Sequence, residues 1–161
     1  MRMDSDFYAA LGLPGAGVQV LQRDQRFVRF EIEEADVAMK IELINDVPAH
    51  VGDIREDPVL GRIDSAANLL ANKVTAVVDR GEPKDFADVW GLCCKLGLSL
   101  DDAITHARSK AAGVFPADLA RALMGATQQD WALVRWANEG PSQDDFLQGL
   151  RTLGEKLILE T

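Results

Sequence analysis

The chain has 161 residues, 47% of them hydrophobic and 27% charged, as in soluble globular proteins of one compact domain or two small layers. Its formal net charge of −9 argues against a general nucleic-acid binder, because a phosphate backbone requires a basic surface. No apolar run is long enough to span a bilayer, and the N-terminus, MRMDSDFYAA, lacks the basic start and apolar stretch of a secretory signal. We therefore expect a cytoplasmic protein.

The spacing of apolar residues changes early in the chain. Residues 4–11 have the spacing of a short helix, which a glycine-rich segment ends. From Val18 onwards apolar and polar residues alternate, which predicts three antiparallel strands over residues 18–23, 28–33 and 37–44, with one apolar and one charged face. A charged sheet face is commonly only a solvated surface. Here it consists of Arg29, Glu31, Glu33, Lys40 and Glu42.

Turn residues and helical spacing divide the rest of the chain. Residues 47–62 are interrupted by proline, glycine and aspartate, which predicts a linking loop. The fold class is therefore α+β, with a short antiparallel β-meander in residues 1–46 and a helical domain in residues 63–161. Asp64 is predicted to cap the first helix, which ends near Arg80.

One lysine lies where an apolar residue is expected. On the first predicted helix Lys73 projects from the middle of the apolar face, and Arg80 lies at the edge of that face two turns later. Because a lysine is seldom buried without a partner, Lys73 requires an anion or a route to solvent. The simpler interpretation is a lysine that covers apolar surface with its stem and keeps its ammonium group in water.

The next predicted helix, from Pro83 to about Leu96, supplies acidic residues. Asp85 borders its apolar face, and Asp88 lies beside that face one turn later. Acidic residues are also common in a first turn simply because the helix dipole favours them there. An inward-facing lysine, an arginine and two acids within sixteen residues nevertheless predict a polar site between the two helices.

The segment LLANKVTAVVDRGEPKDFADVWGL, residues 69–92, resembles the helical part of the nucleotidyltransferase AbiEii/AbiGii toxin family. In that family a helix with a lysine leads through an Arg-Gly turn into an R/K-D-aromatic-x-D-hydrophobic segment. Lys73 matches the lysine, and KDFAD, residues 84–88, matches the second segment. The preceding VAMKIELINDVP, residues 37–48, resembles the strand that carries the third catalytic carboxylate, with Glu42 at that place.

The resemblance implies a nucleotidyltransferase-like sheet and the transfer of a nucleotide from an NTP to an acceptor hydroxyl, in RNA or protein. In such enzymes carboxylates hold Mg²⁺ ions that align the α-phosphate and neutralise the leaving pyrophosphate. The resemblance assigns Glu42 to a metal ion and Lys73 to the triphosphate. Asp85 would assist near the acceptor hydroxyl or hold a neighbouring base, with Asp88 and Arg80 in support. An antitoxin-like protein would be a partner.

The chain departs from this family in one respect. The sequence shows neither the family's glycine–serine loop nor its D-x-D strand. Asp4 and Asp6 have the D-x-D spacing, but no apolar strand or glycine–serine turn accompanies them. We therefore expect weak metal binding, and slow or absent transfer unless the missing segment is supplied. The first alternative is a non-catalytic remnant that binds a partner or forms a homo-oligomer, because an uncovered sheet edge favours association. The second is a helical regulatory domain with no relationship to nucleotides.

Overall fold

The structure, a computed structural model, describes residues 18–34, 37–45, 49–110, 114–137 and 139–159. The helix predicted over residues 4–11 lies outside this part of the chain. The chain divides into two compact units, Met1–Pro48 and Ala49–Thr161. The predicted α+β class is confirmed, because a three-stranded antiparallel sheet precedes six α-helices in the described residues.

The first unit contains the predicted β-meander. Phe30 pairs with Ile41 and Arg29 pairs with Glu42, so apolar side chains share one face of the sheet and charged side chains share the other. Phe30 is completely buried and Val28 almost so, which places the small core of this unit on the apolar face. The strands are neighbours in chain order, β1 (Val18–Arg23), β2 (Phe27–Glu34) and β3 (Val37–Ile44).

A second, two-stranded sheet occupies the last part of the segment predicted to be a linking loop and ends one residue beyond it, at Ile63. The carboxylate of Asp57 accepts hydrogen bonds from the backbone N–H groups of Val59 and Leu60, both at 2.8 Å. These bonds close a tight turn, so the turn residues that predict a loop here form the tip of a hairpin. Its strands are antiparallel, β4 (Arg55–Asp57) and β5 (Gly61–Ile63).

The second unit is helical beyond this hairpin. A π-helical segment, Gly91–Lys95, continues the second helix almost to its predicted end. No described helix is long and apolar enough to cross a membrane. The six α-helices are α1 (Ala66–Asp79), α2 (Pro83–Trp90), α3 (Leu100–Lys110), α4 (Pro116–Met124), α5 (Gln128–Leu133) and α6 (Gln143–Leu159).

The start of α1 differs by one residue from the prediction. Ser65, and not Asp64, is the N-cap, because its Oγ accepts a hydrogen bond from the backbone N–H of Asn68 at 3.0 Å. Asp64 instead accepts hydrogen bonds from the backbone N–H of Ser65 and from the side-chain amide of Asn68. The carboxylate therefore anchors the first turn of α1 from outside the helix.

Helix α6 supplies much of the core of the second unit. Phe146 and Leu150 are completely buried. Gly154 allows α4 to approach α6 closely, since a Cβ atom at this position would lie only 2.9 Å from the carbonyl oxygen of Ala120. The two helices therefore pack at a distance that a larger residue at position 154 would not permit.

Three aromatic rings join α2 to α6. The ring centroids of Trp90 and Phe146 lie 6.2 Å apart, and those of Trp136 and Phe146 lie 5.7 Å apart. Trp90 also donates a hydrogen bond from Nε1 to the carbonyl oxygen of Asp145 at 3.3 Å. This cluster fixes the C-terminal end of α2, the helix that carries Asp85 and Asp88.

Candidate functional site

The candidate site is built on the hairpin of α1 and α2. Lys73 lies on α1 one turn from Leu70 and one turn from Val77, both of which are buried in the core. Gly81, with a φ of 57°, ends α1 in the left-handed conformation and reverses the chain. Pro83 then begins α2 at a position where a missing backbone N–H costs nothing. The short connection places the two charged segments side by side.

Asp85 is the centre of the site. Its side chain is completely buried, and both carboxylate oxygens accept hydrogen bonds from cationic groups. Arg80 donates from Nε to Oδ2 at 2.8 Å and from Nη2 to Oδ1 at 3.0 Å, which is a two-point contact. Lys73 donates from Nζ to Oδ1 at 3.1 Å. Buried carboxylates require this kind of compensation, so Asp85 holds both cations in fixed positions.

The charged groups around Asp85 reach the surface to different extents. The side chain of Lys73 is 24% exposed, that of Arg80 is 49% exposed, and that of Asp88 is 47% exposed. Asp88 contacts Lys73 at 2.5 Å through Oδ2. The structure therefore brings together Lys73, Arg80, Asp85 and Asp88, with a buried acid beneath two partly exposed cations.

The contacts of this cluster lower the pKa of Asp85 and raise the pKa of Lys73 relative to their usual values. Burial alone would raise the pKa of Asp85, but hydrogen bonds and charge from Arg80 and Lys73 outweigh it, so the pKa lies below the usual 3.8. Partial burial alone would lower the pKa of Lys73. The hydrogen bonds and charges of Asp88 and Asp85 outweigh it and raise this pKa above the usual 10.5. Both groups are ionised at neutral pH.

A dependence of stability on pH follows from the lowered pKa of Asp85. Its ionised form stabilises the folded state above the pKa of the unfolded chain, and this contribution is lost as the pH falls below about 4. We expect the free energy of unfolding, measured by urea denaturation between pH 6 and about 2.5, to fall less steeply in Asp85→Asn. Some slope remains in the variant, because the pKa of Asp64 is lowered as well. Equal slopes in the two proteins would contradict this expectation.

Glu42 belongs to the first unit and lies on the charged face of its sheet. Its Oε1 contacts Arg29 on the neighbouring strand, at 2.8 Å from Nε and 2.7 Å from Nη2. The Glu42 side chain is 44% exposed. Glu31 and Lys40 are also directly opposite one another in the register of β2 and β3. These cross-strand pairs agree with the simpler interpretation of a solvated, charge-paired sheet surface.

The side chains of the site suit an anion better than a metal ion. Lys73 and Arg80 offer N–H donors and positive charge, which phosphate oxygens accept. The two carboxylates of this cluster are both engaged by cations. Among the residues that the structure describes, no three His, Cys, Asp or Glu side chains are grouped so that they could hold a metal ion. We therefore assign no step to Mg²⁺ at this cluster.

A second polar cluster at the start of α1 was not predicted from the sequence. Asn68 is only 2% exposed, and its side chain donates to Asp64 at 2.6 Å and accepts from the backbone N–H of Val51 at 3.1 Å. Lys110, at the end of α3, also donates to Asn68. His50 contacts Asp64 at 2.5 Å. Helical spacing places Asn68 on the side of α1 opposite Val77, outside the apolar face, so the sequence carried no signal for this cluster.

Comparison of the sequence with protein-family models and with curated proteins, and of the structure with solved structures, gave no match. The geometry of the chain itself therefore carries the functional argument. The most informative feature is the buried carboxylate of Asp85. It is contacted by Lys73 from the middle of α1 and by Arg80 from the C-terminal end of the same helix.

Proposed function

We propose that the chain is a nucleotidyltransferase-like protein whose helical unit binds the triphosphate of an NTP through Lys73 and Arg80. The observation that carries this proposal is the complete burial of Asp85 beneath the two cations. A binding site gains affinity when its charged groups are held in place before the ligand arrives. Lysine supplies a compact charge and arginine a planar two-point donor, which together suit adjacent phosphate groups.

In this proposal Asp85 is a positioning residue. Because it is completely buried and contacts both cations, it acts on the ligand through Lys73 and Arg80. This role differs from the contact with the acceptor hydroxyl, or with a neighbouring base, that the family resemblance implies. Asp88 is the acidic residue of α2 that is open to solvent, so it is the one that an acceptor could approach.

Transfer itself requires more than this cluster. Glu42 is the carboxylate that the family resemblance assigns to Mg²⁺, and in the sheet it is paired with Arg29. Magnesium sites combine carboxylates with water and substrate phosphates, so one carboxylate in an ion pair is a weak ligand set. We propose NTP binding as the primary activity, with nucleotide transfer to RNA or protein dependent on carboxylates beyond those described. An antitoxin-like protein is a candidate partner within this proposal.

The test is a binding measurement on the full chain. Isothermal titration calorimetry with ATP, GTP, CTP and UTP should detect binding of at least one nucleotide, and Lys73→Ala should weaken it by about tenfold or more. Lys156→Ala is a matched control, because it removes one lysine from the last turn of α6. No binding of any nucleotide at millimolar concentration would refute the proposal, as would equal losses in the two variants.

A second candidate function, self-association, is favoured by the exposed apolar residues of the sheet. Met39 and Ile44 on β3 are 56% and 65% exposed, and Val20 and Leu21 on β1 are 43% and 41% exposed. These are the two outer strands of the described sheet, and outer strands with apolar side chains favour pairing with another chain. We propose that the chain forms a homo-oligomer, and that this oligomer is non-catalytic if NTP binding fails. A monodisperse monomer, measured by light scattering at micromolar concentration, would overturn this proposal.

A further inference from the structure

The two acidic partners of Lys73 differ in burial. Lys73 Nζ lies 3.1 Å from Oδ1 of Asp85 and 2.5 Å from Oδ2 of Asp88. Asp85 is completely buried, whereas the side chain of Asp88 is 47% exposed. If Asp85 lost its cations, a buried charge would remain without compensation, which is costly. Asp88 can leave Lys73 and be solvated instead, so its contact with the lysine is the one that can be exchanged.

The carboxylate of Asp88 binds the ammonium group of Lys73, and a phosphate oxygen could make the same contact. Carboxylate and phosphate oxygens are both anionic acceptors, and a lysine ammonium binds either as a compact charge. A partly exposed ion pair contributes little net stability, because water solvates both groups when they separate. Moving Asp88 into solvent therefore costs little, whereas a ligand with several negative charges interacts with Lys73 and Arg80 together.

We propose that Asp88 is an internal competitor of the ligand, which occupies Lys73 in the free protein and is displaced when a polyphosphate group binds. This inference rests on the proposed NTP-binding function and adds a residue that weakens binding. Asp85 remains in contact with both cations throughout the exchange. Asp88 opposes the ligand in two ways, since its carboxylate competes for Lys73 and its negative charge repels the approaching phosphates.

The experiment compares three forms of the full chain by isothermal titration calorimetry, with inorganic triphosphate as the probe. Asp88→Asn removes the competing charge in a side chain of the same shape, and we expect its Kd to be about two- to tenfold lower than that of the wild type. Glu155→Gln is the matched control. It makes the same change in net charge and disrupts another exposed pair, with Arg151 at 2.9 Å on α6.

Tighter binding by Asp88→Asn than by both the wild type and Glu155→Gln supports the inference. If the wild type binds triphosphate and Asp88→Asn binds equally or more weakly, the competitor role is overturned and NTP binding stands. An equal gain in both variants means that net charge alone acts, which also overturns the competitor role. If neither the wild type nor Asp88→Asn binds the probe, the proposed function fails, and the inference fails with it.

Discussion

Replacing Asp85 with asparagine is expected to lower the free energy of unfolding by about 2–4 kcal/mol. The carboxylate is completely buried and is the common partner of Lys73 and Arg80. An asparagine of the same shape presents an NH₂ group to one of these donors and removes the negative charge that the two cations share. Lys73 then keeps only the partly exposed Asp88 as its acidic partner. The expected loss is smaller than for a fully buried ion pair, because both cations are partly exposed and can be rehydrated.

The matched control for this variant is Asp88→Asn, the same substitution on the next turn of α2. Since Asp88 is 47% exposed, breaking its ion pair is expected to change stability by less than about 1 kcal/mol. Urea denaturation of both variants at pH 7 measures the difference directly. Similar, small losses in the two proteins would show that Asp85 is not the centre of the site.

Replacing Phe146 with alanine is expected to have the largest effect on the core, about 3–5 kcal/mol. Phe146 is completely buried and contacts two tryptophan rings, with a tilted geometry toward Trp90 and an edge-on geometry toward Trp136. The substitution leaves a cavity where α6 supports the end of α2. It therefore also loosens the helix that carries Asp85.

Phe115→Ala is the control for this second prediction, because it removes the same side chain from an exposed position. Phe115 is 61% exposed at the N-cap of α4, and its loss should change stability by less than about 1 kcal/mol. Guanidinium denaturation followed by tryptophan fluorescence reports on both variants. A loss in Phe146→Ala no larger than that in Phe115→Ala would contradict the assignment of this ring to the core.

Much of the fold could be predicted from the spacing of apolar residues. Alternation over residues 28–33 and 37–44 predicts paired strands with one charged face, and the register that places Arg29 opposite Glu42 agrees with it. The hairpin of β4 and β5 could not be predicted in this way, because strands of three residues are too short to show a period. Its turn depends on two hydrogen bonds to Asp57, which only the structure reveals.

The residues of the charged cluster in the second unit could be predicted from the sequence, but their geometry could not. A lysine on an apolar helix face predicts a nearby acid, and the structure pairs Lys73 with Asp85. The complete burial of Asp85 and its two-point contact with Arg80 depend on how the chain reverses at Gly81, which periodicity does not describe. The second polar cluster could not be predicted, because Asn68 and Lys110 lie 42 residues apart in the sequence and periodicity describes only local contacts.

The short connection between α1 and α2 also bears on the order in which the unit folds. Lys73 and Asp85 are separated by only 12 residues, so bringing them together closes a small loop at a low cost in chain entropy. The hydrogen bond from Trp90 to Asp145 joins residues 55 apart and closes a much longer loop. Contacts between near neighbours in sequence form quickly, whereas distant ones require a longer search. The charged cluster is therefore local enough to assemble with its own hairpin, before α6 completes the core around it.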